Sequence, residues 1–106
     1  MSGILRIAAE RQRQIDEEKW SAAHDDKHRQ GELARAAACY ALTPIIREQM
    51  LLKRSLASHL WPFEWRNWKP LTPHSTADVR RQARIRELEK AGALIAAEID
   101  RLERLS

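Results

Sequence analysis

Ser75-Thr-Ala-Asp-Val-Arg80-Arg-Gln-Ala-Arg-Ile85-Arg-Glu-Leu-Glu-Lys90-Ala-Gly-Ala-Leu-Ile95-Ala-Ala-Glu-Ile-Asp100-Arg-Leu-Glu-Arg-Leu105 contains no proline. Ile85, Leu88, Gly92, Ile95, Ile99 and Leu102 follow one another at alternating spacings of three and four. That pattern places one apolar seam along an α-helix, with a repeat near the heptad value of about 3.5 residues. Ser75 caps the start, and Asp78, three residues on, completes a weak capping box. Arg101 and Arg104 complement the dipole at the far end. At about 1.5 Å per residue the helix runs roughly 45 Å, longer than a small domain needs to cover its own core. It therefore reads as both a spine and an association surface. Ala91, Gly92, Ala93, Ala96 and Ala97 let another backbone come close, either an earlier helix or a second copy of the chain. A glycine in a helix interior costs about 1 kcal/mol against alanine, so Gly92 needs a packing reason.

Around this spine the chain is short, 106 residues, and reads as one all-α domain, a small bundle with a long C-terminal helix completed by oligomerisation. Hydrophobic residues are 43% and charged residues 32%, with a mean hydropathy of −0.61, which implies wide solvated faces. The net charge of +4 favours anionic partners without choosing among them. The single cysteine, Cys39, excludes an intramolecular disulfide and points to a reducing cytoplasm. No segment has the apolar length of a membrane span, and Ile4 to Ala9 is too short and too charged around it for a signal peptide.

Upstream, Gly3 to Glu18 reads as a first helix with Ile4, Ile7 or Ala8, and Ile15 on one face. Trp20 plugs an edge of the core. Ser21 to Gln30 is a polar connection. Gly31 to Leu42 is helical again, with Leu33, Ala36, Ala37, Tyr40 and Ala41 on its buried side. Thr43 and Pro44 stop that helix and start a third, carrying Ile45, Ile46, Leu52, Leu56 and Leu60. Between Trp61 and Pro73 three tryptophans, one phenylalanine and three prolines share thirteen residues. The prolines break regular structure, so residues 61–74 form an ordered aromatic loop.

Four groups of residues carry the candidate chemistry. His24, Asp25, Asp26, His28 and Glu32 gather imidazoles and carboxylates in nine residues. On a continuous helix His24, His28 and Glu32 would form a ligand stripe; otherwise an aspartate caps a helix and the histidines face solvent. In the loop, Trp65 and Trp68 can stack on a base while Arg66 and Lys69 meet phosphates. Arg80, Arg81, Arg84 and Arg86 form either a solvated face or an anion site. Lys90 and Glu98 fall among the small residues of the spine, where a charge needs a partner. No glycine-rich phosphate loop, nucleophile elbow or cysteine zinc pattern is present.

Several blocks resemble a family of small phage proteins, the C-terminal part of the Ead-type early proteins of lambdoid phages. They are Ala9-Glu10-Arg11-Gln12-Arg13-Gln14, Trp20, His24-Asp25-Asp26-x-His28, Gly31-Glu32-Leu33-Ala34 and Ala36-Ala37-Ala38-Cys39-Tyr40-Ala41. Trp61-Pro62, Trp65, Trp68-Lys69-Pro70, Arg80-Arg81, Lys90-Ala91-Gly92-Ala93-Leu94-Ile95 and Ala97-Glu98-Ile99 continue the match. Where the family has glycine before its first tryptophan this chain has Lys19, and Phe63 replaces a further tryptophan. The resemblance implies an accessory protein made early in infection and acting in the host cytoplasm on a host protein or signalling molecule. A fainter similarity links Gly31-Glu32-Leu33 to the MazG-type all-α nucleotide pyrophosphohydrolases. Those enzymes use Mg²⁺ or Mn²⁺ held by a Glu-x-x-Glu pair, and here Arg29 stands three residues before Glu32.

Together these readings give a non-enzymatic helical oligomer, without catalytic or metal-binding residues, that binds an anionic nucleotide-like molecule. The expected ligand-binding residues are Arg11, His24, Asp25, His28, Glu32, Trp65, Trp68, Lys69, Lys90 and Glu98. The alternatives are a MazG-like pyrophosphohydrolase and an inhibitor of a host protein complex. Duplex nucleic acid ranks last among the anionic partners.

Overall fold

In the computed structural model, residues 2–46, 49, 61–63 and 77–105 are described. The described residues are helical or irregular, with no strand among them. Helix α1 spans Gly3–Asp16, α2 Ala22–Asp25, α3 Glu32–Ala41 and α4 Ala77–Arg104. The first three all pack on α4, as expected of a spine. Residues 44–46 are helical, which agrees with a helix starting at Pro44; most of the third expected helix lies outside the described residues.

Local chemistry accounts for the boundaries. Ser2 caps α1, its Oγ accepting from Leu5 N at 3.2 Å. Beyond α1 the chain reverses through Lys19, whose φ of 61° lies in the left-handed region. Glycine is the residue that adopts such a φ without strain, so Lys19 carries a local cost at this turn. Lys19 Nζ donates to the Asp16 carbonyl at 2.8 Å, satisfying one of the carbonyls exposed at the end of α1. Ser21 then caps α2, its Oγ accepting from His24 N at 3.2 Å. The expected polar connection therefore contains one helical turn. Gly31, with φ 75°, leads into α3.

The far end of α3 is closed from α4. Arg84 donates to the Tyr40 carbonyl at 2.9 Å and the Ala41 carbonyl at 2.6 Å, and to the buried Glu87 at 3.1 Å. A guanidinium with several donors suits the last carbonyls of a helix. Arg104 does similar work for α2, donating to Asp26 at 2.8 Å.

The core is where α3 meets α4. Leu33, Ala36, Ala37 and Tyr40 pack with Ala91, Leu94 and Ala97, as small residues on both helices allow. Trp61 is buried in the same cluster, and Trp20, Leu42 and Phe63 pack against it. Cys39 joins it on the buried side of α3, while Ala41, expected there, is exposed.

Two apolar faces differ from the sequence reading. On α1, Ile4 and Ile15 are exposed, and the buried residues are Glu10 and Gln14. The helix is turned so that Glu10 reaches arginines on both α1 and α4, a requirement stronger than covering two isoleucines. On α4, Leu88, Ile95, Ile99 and Leu102 of the expected seam are about half exposed. The face towards α3 is instead the alanine-rich one. Gly92 has an intramolecular partner: a Cβ there would lie 2.5 Å from Ile7 Cδ1 and 2.6 Å from Ile7 Cγ1. Its missing side chain lets Ile7 of α1 sit directly on α4.

Candidate functional site

A cavity of about 360 Å³ lies beside the core, lined by residues of α1, α3 and α4, by Trp20 and His24, and by residues 61–63. Much of its wall is aromatic. The Trp20 and His24 rings are stacked, 5.5 Å between centroids and 6° from parallel. His28 meets His24 edge-on at 5.1 Å and Phe63 edge-on at 5.1 Å. Phe63 meets Trp61 at 5.7 Å, and Trp61 meets Tyr40 at 5.7 Å. Lys90 Nζ stands 5.4 Å from the centre of the Tyr40 ring, within cation–π range. Six rings from separate segments thus form one connected arc ending at a cation. Edge-to-face contacts of this kind fix ring orientation as well as burying area.

The polar part of the lining is organised by Glu10. Its carboxylate is buried and accepts from Arg13 Nε and Nη2, both at 2.9 Å, in a two-pronged contact. Arg86, from α4, donates to the same carboxylate. Burial alone would push the Glu10 carboxyl upward. The hydrogen bonds and charges of Arg13 and Arg86 outweigh burial and hold it below its ordinary value. Chiefly through its hydrogen bond to Glu10, Arg13 is raised in turn. Arg86 also reaches Glu89 at 3.2 Å, so its position is set from two sides.

This contact has a definite pH signature. A carboxyl with a depressed folded-state value contributes stability that is fully present above its unfolded value and is lost as pH falls through the folded one. Glu10→Gln should therefore be less stable than the parent at pH 7, by about 1.5–3 kcal/mol for a hydrogen bond to a charged group. The gap should narrow as pH is lowered from about 5 towards 3, the range that spans the ordinary glutamate value and extends below it. Paired thermal melts across that range measure it, and a gap independent of pH would show that the Glu10 charge adds nothing.

Behind His24 sits a second ionic group. Asp25 is fully buried, with Oδ2 accepting from Arg11 Nη2 at 3.0 Å. Its Oδ1 lies 3.0 Å from His24 Nδ1. A carboxylate only accepts, so this contact places a proton on Nδ1 and orients the ring that stacks on Trp20. Arg11 also lies 3.8 Å from Asp100.

Of the residues expected to bind a ligand, His24 and Lys90 line the cavity. His28 supports its wall through His24 and Phe63, and its Nδ1 is 3.5 Å from Glu32. Glu32 also accepts from Gln30 N at the start of α3. Burial raises the Glu32 carboxyl, but the backbone hydrogen bonds and His28 bring it below its ordinary value. Arg11 and Asp25 pair with each other behind the wall, and Glu98 pairs with Arg101 one turn along α4. Trp65, Trp68 and Lys69 lie outside the described residues. Because α2 stops at Asp25 and α3 starts at Glu32, His24, His28 and Glu32 share no continuous helix. Among the described residues no group of three or more histidine, cysteine or acidic side chains is placed to hold a metal ion.

Glu10, Arg13, Gln14, Tyr40 and Phe63 line the cavity without having been singled out as ligand residues, and Arg86, of the basic run read as a solvated face or an anion site, lines it too. The spacing of Glu10, Arg13 and Gln14 on one helix face was available in the sequence. Their pairing with Arg86, 76 positions from Glu10, was not. No protein-family model, curated protein or solved structure matches the chain.

Proposed function

We propose that this protein is a non-catalytic receptor that sequesters an anionic, nucleotide-like small molecule in the cavity between α1, α3 and α4. The observation that carries this reading is the ring-walled hollow of about 360 Å³ with Arg86 and Lys90 one helical turn apart in its lining. Its volume falls at the low end of ordinary ligand pockets, about 300–1,000 Å³, and suits one nucleotide-sized unit. Aromatic faces stack on a base for about 1–3 kcal/mol, and the cations offer contacts to a phosphate. The resemblance to early phage proteins extends the proposal: the guest is a host immune signal, and binding withdraws it. Self-association through α4 belongs to the same proposal, supported by the half-exposed Leu88, Ile95, Ile99 and Leu102.

The test is calorimetry of the full chain with AMP, cyclic AMP, a cyclic dinucleotide and ADP-ribose. At least one should release heat. Lys90→Gln, which keeps length and loses charge, should weaken that binding by about tenfold, the equivalent of about 1.4 kcal/mol. No heat with any of the four would overturn the proposal.

A further inference from the structure

Gln14, on α1, is 2% exposed and forms part of the cavity lining. Its Nε2 donates to Glu10 Oε1 at 3.4 Å. A carboxylate holding two guanidinium groups presents only acceptors, so the amide must turn its NH₂ towards it. That orientation leaves Gln14 Oε1 covered and without a hydrogen-bond partner. Buried acceptors are nearly always satisfied in folded proteins, and one left over beside a cavity asks for an explanation. The nearby polar groups do not supply it: Glu10 and the atoms of Arg13 and Arg86 that hold it are committed to each other.

We propose that Gln14 Oε1 reads a hydrogen-bond donor on the guest and so determines which nucleotides the cavity accepts. The donor is an N–H or O–H, supplied by an exocyclic amine of the base or by a sugar hydroxyl. This inference rests on the cavity being a nucleotide site. Gln14 belongs to the lining, so a rotation of its terminal amide about the last torsion would turn the covered acceptor towards a guest. That torsion is broad, because it joins an sp³ carbon to an sp² carbon. The contact given up, to Glu10, is at the long limit of a hydrogen bond. Guests lacking the donor leave the acceptor unmet and gain nothing from the rotation, which is how a buried polar group discriminates between similar ligands.

Gln14→Met keeps the shape and helix preference of the side chain and removes the acceptor. It is compared with the parent by calorimetry, using each of the four nucleotides that the parent binds. Inosine-based and 2′-deoxy counterparts of those nucleotides are measured on the parent alone. Melting of the ligand-free proteins is followed in parallel. Expected are a loss of affinity of about tenfold or more in Gln14→Met and an unchanged or raised melting temperature without ligand. Weak binding of the inosine form by the parent identifies the base amine as the donor, and weak binding of the 2′-deoxy form identifies the sugar hydroxyl. Equal affinity of Gln14→Met and parent overturns the role of Gln14 and leaves the nucleotide reading standing. A ligand-free Gln14→Met that melts several degrees lower also overturns it, because the amide then does more in the folded protein than make the long 3.4 Å contact to Glu10. A parent that binds none of the four nucleotides overturns the nucleotide reading itself.

Discussion

Asp25→Ala should melt roughly 12 °C or more below the parent, from a loss of about 3 kcal/mol at about 4 °C per kcal/mol in a domain of this size. Asp25 is fully buried and holds Arg11, whose side chain is itself mostly buried, at 3.0 Å. Taking away the carboxylate leaves the guanidinium only the more distant and exposed Asp100, at 3.8 Å, as an opposing charge. The burden is heavier because Arg11 Nε and Nη1 already have no partner. His24 loses its Nδ1 acceptor in the same step, so the Trp20–His24 stack loosens and the cavity wall with it. Removing the pair together is the informative comparison. Arg11→Met with Asp25→Ala removes both charges, and an apolar replacement for a buried pair is often close to neutral. The double variant should therefore recover part of the stability lost in Asp25→Ala. If it melts lower still, by the sum of the two single losses, the pair is not coupled and the large single effect has another source.

The second large effect is expected at Gly92. Gly92→Ala should destabilise by about 1–3 kcal/mol, the usual cost of forcing extra atoms into a filled contact. This runs against the intrinsic preference of a helix for alanine, worth about 1 kcal/mol in the opposite direction. The new methyl would stand 2.5 Å from Ile7 Cδ1 and 2.6 Å from Cγ1. The outermost carbon can swing aside, but the inner one is tied to a β-branched side chain held to few rotamers in a helix. Shortening the partner relieves the clash: Gly92→Ala with Ile7→Ala should be more stable than Gly92→Ala alone. Chemical denaturation of the four proteins measures the coupling, and a stabilising Gly92→Ala would mean that α1 does not rest on that residue. The crossing also bears on the ionic contacts that flank it, Arg6 to Glu89 at 3.4 Å and Arg86 to Glu10.

The long C-terminal helix could be read from the sequence because 28 residues in it carry no proline and repeat at helical spacing. Helices α1 and α3 followed from the same periodicity, and their ends lie within one or two residues of expectation. Which side of each helix is buried was less legible. Periodicity of large apolar residues marks a face, but alanines can make a closer contact than leucines when both partners have them. The contact between α3 and α4 is of that kind, with Ala36, Ala37, Ala91 and Ala97 inside and Ile95 and Ile99 outside. Glu10 and Gln14 were hidden for a different reason. A buried carboxylate is recognisable only once its cations are known, and one of them comes from the other end of the chain. Of the site, the histidine of the His-Asp cluster and Lys90 were visible as unusual residues in unusual places. The ring arc was not, since Tyr40, Trp61 and Phe63 look like ordinary core and loop residues until α3 and residues 61–63 are brought together.

Cys39 gives the molecule an internal clock. The thiol is wholly enclosed by the core between α3 and α4, and it is the only one in the chain. A thiol-specific reagent can reach it only in molecules whose centre has opened. Its labelling rate therefore reports how often α3 leaves α4, a quantity tied to local opening rather than to fraying of the helix ends. A small molecule that seats itself among the rings and joins those segments should slow that clock in proportion to its occupancy.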